Sequence, residues 1–411
     1  MVLNYIWVGF FIIAFICALC QAIFFGEFSY FESIIKSTFD MSEFAVMNIA
    51  LPLTGVMTLW LGIMNIGEKA GAINGLSRII GPFFSRLFPE VPKNHPVHGQ
   101  LLMNFSANML GLDNAATPLG LKAMQSLQDL NPKKDTASNA QIMFLALNTS
   151  GLTIVPVSIL AQRGILGAEN PTDIFIPLLI ATAVSTIFAI LFVGIKQRIK
   201  LYDPVIICWI LGICIIIGGL VSYMSTLSPE QMGRFSGILS NGLLLLIIVA
   251  FMLAAMIKKI NVFEAFIDGA KSGFETSIKI IPYMVGMLVG IAVFRASGAM
   301  DFLILGIEKL VSIFTDKIEF IGALPTAFMK PLSGSGAKAM MVEAMKTYGV
   351  DSFVGRLSCL FQGAADTTFY IIALYFGSVG IKKTRYAVWA GLFADLMGVI
   401  ADIILAYIFF Q

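Results

Sequence analysis

Charge is what this chain has least of. Only 13% of its 411 residues are Asp, Glu, Lys or Arg, about half the share of an average soluble domain. That scarcity excludes an ordinary water-facing surface. The near balance of 27 basic and 25 acidic residues also removes the one-signed field that nucleic-acid binding uses, so no nucleic-acid partner is expected. Histidine is scarcer still: His95 and His98 share one loop without further ligand residues, so no zinc site is expected. The five cysteines all fall in apolar runs. Cys17 and Cys20 have C-x-x-C spacing but lack the βαβ setting of a redox pair. No Walker loop, GxSxG elbow or H-E-x-x-H occurs. ATP hydrolysis and metalloproteolysis therefore lack their machinery, and neither an enzyme nor a bound cofactor is expected.

What is present is apolar text. Hydrophobic residues make up 58% and mean hydropathy is +0.87, so the chain's main solvent is lipid. Tyr5–Phe25 is long enough to cross about 30 Å of hydrocarbon. No Lys or Arg precedes it, so it lacks the front of a signal peptide and is expected to stay as a span. Phe28–Glu43 is amphipathic and is placed at the interface. Further spans are expected at Phe44–Ile66, Gln141–Leu160, Ile174–Ile195, Val205–Met224, Ile238–Ile257, Ile280–Phe294, Arg356–Phe376 and Ala387–Phe410, with Val262–Lys279 again amphipathic.

Two regions break this rhythm. Gly67–Leu130 falls into pieces too short for normal spans (Ile73–Phe88, His98–Leu112, Ala115–Leu127). Gly298–Tyr348 holds the polar stretch Lys330-Pro331-Leu332-Ser333-Gly334-Ser335-Gly336-Ala337-Lys338. Shortened, interrupted hydrophobic segments are the best sequence pointer to a transporter's binding site, because non-helical backbone at membrane depth survives only when it is buried in protein or lines a cavity.

The chain repeats itself. Phe31-Glu32 pairs with Phe263-Glu264, Pro52 with Pro282, Gly71-Ala72 with Gly298-Ala299, Gly120 to Met124 with Gly336 to Met340, and Thr153 with Thr367. The separations fall steadily: 232 (263 − 31), 230 (282 − 52), 227 (298 − 71), 216 (336 − 120) and 214 (367 − 153). Basic residues favour the cytoplasmic side. Lys382, Lys383 and Arg385 precede the last span of the second copy; the matching loop, Gly164–Asp173, has none, with Arg163 at its edge. The expected fold is an all-α polytopic membrane protein with two inverted repeats and re-entrant or broken helices. The first repeat is placed at 1–200, a linking transmembrane helix and loop at 201–236, and the second repeat at 237–411.

In such a fold the substrate site lies near the midplane, where the broken helices meet. The candidates are Asn114 and Thr117, with Ser333 and Ser335 at the loop tips. Flanking helices add Asn148, Thr149, Ser150 and Thr153, and Gln362, Asp366, Thr367 and Thr368. Small polar residues also serve simply to let membrane helices pack closely. A carboxylate at membrane depth needs a partner, a cation or a proton, which singles out Asp366 as the candidate for Na⁺ or H⁺ coupling or for substrate binding. Asp113 and Arg295 carry the same kind of signal nearer an interface, and Lys122 and Lys338 are expected to snorkel.

Several longer stretches resemble known families. Phe88-Pro89-Glu90-Val91-Pro92-Lys93-Asn94-His95-Pro96, Asn114-Ala115-Ala116-Thr117-Pro118 and Phe144-Leu145-Ala146-Leu147-Asn148-Thr149-Ser150 resemble spore maturation protein A. Ile281-Pro282-Tyr283-Met284-Val285-Gly286-Met287-Leu288, Val293-Phe294-Arg295-Ala296-Ser297-Gly298-Ala299 and Asp366-Thr367-Thr368-Phe369-Tyr370 resemble spore maturation protein B. The two look joined in one chain, with the span Val205–Met224 as adaptor. Asp113 departs from the family pattern, in which that position is small, so no family role is carried to it. The resemblance extends to the nucleoside recognition or Gate group, which is similar to concentrative nucleoside transporters and to the membrane part of ferrous iron transport protein B. It implies a multi-pass protein of the bacterial cytoplasmic (inner) membrane that acts in spore or envelope maturation. The function expected is secondary transport of a small polar or anionic metabolite, nucleoside-like solutes included. The alternative is a non-transporting scaffold or lipid-handling protein. The partners implied are a small-molecule substrate and the bilayer, with a homo-oligomer left open.

Overall fold

The computed structural model describes residues 2–92, 95–110, 113–154, 156–224, 226, 229–313 and 317–411. The side chains of some further helical residues, Asp113, Asn114 and Ala115 among them, lie outside that description. Among the described residues there is no strand, only an isolated parallel bridge between Thr136 and Lys383. The first part of the chain forms α1 (Val2–Phe25), α2 (Ser29–Phe44), α3 (Leu51–Lys69), α4 (Ala72–Leu87), α5 (Val97–Met109), α6 (Asp113–Leu130), α7 (Asn139–Thr149), α8 (Val157–Ile165) and α9 (Phe175–Gln197). There follow α10 (Pro204–Met224), α11 (Pro229–Ile257), α12 (Val262–Ala296), α13 (Ala299–Val311), α14 (Leu324–Met329), α15 (Gly334–Tyr348), α16 (Phe353–Gly363), α17 (Thr368–Ser378) and α18 (Ala387–Phe410).

Several helices are long and apolar enough to cross a membrane: Trp7–Phe25, the 41-residue run Ser29–Lys69, Phe175–Gln197 and Ala387–Phe410. Phe353–Ser378 also passes by composition, and Val285–Ala296 and Ala299–Val311 form a span bent by 72°. The bend turns on Gly298, whose φ of 78° is left-handed.

Two expected boundaries are absent. Phe28–Glu43 and Phe44–Ile66 do not form separate elements, because α2 runs into α3 through a π-helical turn, Ala45–Ala50. Pro52 has no N–H to complete an α-helical bond and its ring needs room behind it; the wider turn just before it takes up the misfit. In the same way Val262–Lys279 and Ile280–Phe294 are one 35-residue helix, α12, with Pro282 inside it. Two other expected spans are not continuous. Gln141–Leu160 is broken between α7 and α8, and Arg356–Phe376 between α16 and α17.

The chain packs as two compact units, each drawing on both halves of the sequence. Unit 1 comprises Met1–Thr58, Ser158–Pro171 and Ser272–Gln362; unit 2 comprises Leu59–Val157, Thr172–Lys271 and Gly363–Gln411. In unit 1, α1 lies on the second part of α12, with Phe10 and Phe294 rings 5.1 Å apart and the Trp7 indole donating to Gly286 O. Its interior is rich in methionine (Met287, Met329, Met340, Met341, Met345), a flexible side chain that fills the irregular gaps left by short helices.

Unit 2 is built round α5, α6, α7, α9, α17 and α18. Phe84 sits between Phe88 and Phe105, and Phe144 lies 5.1 Å from the Tyr375 ring. The α9–α18 contact uses small residues, including Ala181, Ser185 and Ala189 against Ala390, Ala394 and Gly398. In lipid, close backbone approach replaces the hydrophobic effect as the source of helix association. The start of α12 crosses α3 just as closely: a Cβ at Gly269 would collide with Leu61 O and with Asn65 Cβ.

Candidate functional site

The break after α7 follows from its own polar side chains. Asn148 Nδ2 donates back to Phe144 O (2.8 Å), Thr149 Oγ1 to Ala146 O (3.1 Å) and Ser150 Oγ to Leu147 O (3.1 Å). Such back-bonding competes with the next helical turn. The chain then turns at Gly151, in the left-handed region with φ 57°, and Thr153 Oγ1 donates to Gly151 O.

The break ahead of α17 crosses this one. Asp366 N donates to Thr149 O at 2.8 Å, and a Cβ on Gly151 would stand 2.9 Å from Asp366 N. Ile154 N donates to Met109 O at 2.7 Å, bringing in the end of α5. Three chain ends therefore meet in unit 2, their backbone groups partly satisfying one another, as irregular backbone in a membrane must.

The side chains sort into two kinds. Asn148 is buried; its Oδ1 accepts from Asn108 Nδ2 (2.8 Å) and Tyr375 Oη (3.4 Å). It clamps α7 to α5 and α17. Thr149 and Ser150 are buried and spend their hydroxyls on α7 itself. Thr368 is buried and donates to Asp395 Oδ2 at 2.7 Å. Thr367 is buried at the start of α17, whose first turn has no side-chain cap.

Asp366 differs. Its Oδ1 accepts from Thr367 N (2.7 Å), yet the residue is exposed, and no ion pair involves it among the described residues. Thr153 and Thr117 are half-buried. The side chain of Asn114 lies outside the described residues, as does that of Asp113.

Ser333, Ser335 and Gln362 belong to unit 1. Ser333 caps α15, its Oγ accepting from Gly336 N (3.0 Å), and lies 3.2 Å from Ser335 Oγ. Gln362 Nε2 donates to Gly334 O at 3.4 Å. The N-terminal amides of α15 are therefore partly used by its own serine. Arg295, read as an ionisable signal near an interface, has carboxylate partners in unit 1. Its Nε lies 3.0 Å from Glu343 Oε1, and Asp301 lies 3.8 Å from its Nη1. Arg163, expected to mark a loop edge, is fully buried. Its guanidinium reaches Val350 O and Asp351 Oδ1, both at 2.9 Å, and the Asn170 and Pro171 carbonyls.

Two pairs of residues at similar sequence separations make comparable contacts, each within its own unit, though through different atoms. Asn148 and Gln362 (362 − 148 = 214) each reach the hairpin tip of their own unit, at Asn108 and Gly334. Asp135 and Asp351 (351 − 135 = 216) each tie the loop before a half-helix to a second loop. Asp135 O accepts from Lys382 N and Lys383 N, and the Asp351 carboxylate holds Arg163 and Glu169 N.

Sequence reasoning missed Asp395 and Asp402, both buried on α18. The signal was available: an aspartate in the apolar run Ala387–Phe410 is as costly as Asp366. An unbroken span simply offered no reason to look for a site.

These features define a class: a multi-pass, all-helical membrane protein in which broken helices meet at backbone level. The nucleoside recognition (Gate) family model matches residues 50–166 and 277–382, more than half the chain, and the protein belongs to that family. Spore maturation protein B of Bacillus subtilis (strain 168) is 44% identical over 172 residues, 42% of this chain and 95% of that protein. Spore maturation protein A of the same organism is 39% identical over 188 residues, 46% of this chain and 92% of that protein. Each relative accounts for about half the chain, as a fusion of the two would. No solved structure matches it.

Proposed function

We propose that the protein is a secondary transporter of the bacterial cytoplasmic membrane. It would carry a small polar or anionic metabolite, with nucleoside-like solutes the first candidates, by alternating access between two inverted Gate-like repeats. The observation that carries this proposal is the crossing of the two breaks in unit 2. There Asp366 N meets Thr149 O at 2.8 Å while the Asp366 carboxylate stays exposed and without an ion pair among the described residues. Broken helices supply local backbone charge for solutes and ions at membrane depth, and an ionisable group there is a functional group by default. The comparable placing of Asn148 and Gln362, and of Asp135 and Asp351, each within its own unit, supports a repeated design.

In this scheme Asp366 binds Na⁺, H⁺ or the substrate. Thr117 and Thr153, neither fully buried, are the candidate contact hydroxyls in unit 2; Ser335, also not fully buried, is considered separately, within unit 1. Asn148, Thr149, Ser150, Thr368, Ser333 and Gln362 position the backbone, and the side chain of Asn114 is left without a role. No catalysis and no resident cofactor enter the scheme. The family name brings nucleosides into consideration, and the relatives' names bring spore or envelope maturation.

A second proposal draws on a specific observation. Most of the small polar candidates are satisfied by the protein itself, as a scaffold or lipid-handling protein would have them. A thermal-shift screen on purified full-length protein separates the two. The panel is nucleosides, small organic acids, muropeptide fragments, Na⁺ and pH, with Asp366→Asn in parallel. Asparagine keeps the bond to Thr367 N and removes only the charge. A stabilising ligand in the wild type, lost in a variant with unchanged intrinsic stability, is the expected result. No shift from any ligand, with the two proteins indistinguishable, would overturn transport in favour of the scaffold.

A further inference from the structure

We propose that Asp402 on α18 is a buried proton-binding site, separate from Asp366. Asp402 lies within the span Ala387–Phe410, about 22 Å along the helix axis from its start at 1.5 Å per residue. It is 0% exposed, and neither carboxylate oxygen has a hydrogen-bond partner among the described residues. An ionised carboxylate enclosed without a donor is strongly disfavoured, whereas a neutral carboxyl is tolerated. The ligand this position takes is therefore a proton.

Among the described residues, no salt bridge or hydrogen bond brings a counter-ion to Asp402. The helices packed most closely on α18 are α9, α7, α17 and α11. Neither α7 nor α17 carries a charged residue, and α9 has only Lys196, in its last turn. On α11 the charged residues are Glu230 and Arg234, in its first two turns, and Asp173 precedes α9. On α18 itself the one other charged group is Asp395. On the facing helix the Thr186 hydroxyl is also buried, with no hydrogen-bond partner among the described residues.

Position ties this carboxyl to the broken segment. Asp395 and Asp402 are two turns apart and share a helix face. Asp395 Oδ2 accepts from Thr368 Oγ1 at 2.7 Å, two residues after Asp366. Between the two aspartates, a Cβ at Gly398 would lie 3.5 Å from Ser185 and 3.6 Å from Ala364. This face of α18 is the one laid against α9 and the break ahead of α17. A mere space-filler at Asp402 would be aliphatic, like Ala401, Leu405 and Ala406 around it.

Infrared difference spectroscopy on the purified full-length protein tests this directly and requires no transport. The wild type should show the C=O stretch of a protonated, solvent-shielded carboxyl near neutral pH. That band should disappear in Asp402→Asn and persist in Asp366→Asn. Asp402→Leu supplies similar volume without polar atoms and keeps the test open if the asparagine variant does not fold. Absence of the band in the wild type, or its persistence in either Asp402 variant, would overturn the proposal. Neither result bears on Asp366, so the transport proposal stands or falls separately.

Discussion

Asp135 and Asp351, 216 residues apart (351 − 135), each tie a loop to a second loop, under very different exposure. The Asp135 carboxylate is on the surface, where bonds from the Thr136 hydroxyl and then Lys383 hold it below its ordinary value of 3.8. A depressed carboxylate contributes stability that is present above the ordinary value and lost as pH falls through the depressed one. Asp135→Asn should therefore lower the melting temperature slightly at neutral pH, with the gap closing as pH drops below 3.8. High salt should shrink the gap as well; a gap that persists in acid would show that the ion pair is not its source. Asp351 instead faces Arg163, whose side chain is 0% exposed while that of Asp351 is 26% exposed. Removing a buried partner strands what it held, so Arg163→Ala should cost roughly 3 kcal/mol. Unfolding in detergent would measure it, and a cost indistinguishable from that of Asp135→Asn would refute the distinction. Both aspartates are plain in the sequence, but their different weights are not, because burial of Arg163 depends on carbonyls from Val350, Asn170 and Pro171.

At the scale of elements, the crossing in unit 2 depends on one glycine. Gly151 is left-handed and faces Asp366 N, whereas Gly167, also left-handed at φ 84°, has open space around it. An alanine in that backbone region costs about 1–2 kcal/mol in either place, and only Gly151→Ala adds a collision with the second break. Gly151→Ala should thus be clearly more destabilising than Gly167→Ala in matched thermal melts; equal losses would show that the backbones are not held in contact. Hydropathy marked α1, α9, α10 and α18 to within a few residues. It passed over the breaks at Ser150–Pro156 and Ala364–Thr367, because an apolar window averages across a short polar interruption. The Asn148-Thr149-Ser150-Gly151 run is the local signal, and it became decisive only once its hydroxyls could be seen bonding backward.

At the scale of the whole molecule, two related proteins each match about half of the chain. If the halves are inverted repeats, α10 is needed only to return the chain across the membrane. Co-expressing 1–200 and 229–411 as separate polypeptides, so that α11 stays whole, should then give a complex that copurifies and melts near the intact protein. Deleting 201–228 within a single chain should instead abolish stable insertion. Recovery of a stable single-chain deletion would refute the inverted arrangement.

Sequence alone determined the apolar, membrane-type composition, the all-helical class, the ordered landmarks shared by the two halves and the prominence of Asp366, because each follows from composition, period or spacing along the chain. Tertiary structure decided the rest. It showed which helices break, that Asn148 and Gln362 reach hairpin tips, that Arg163 is enclosed, and that Asp402 has no donor among the described residues. These depend on which groups from distant segments arrive within hydrogen-bonding distance, and no local pattern encodes that meeting.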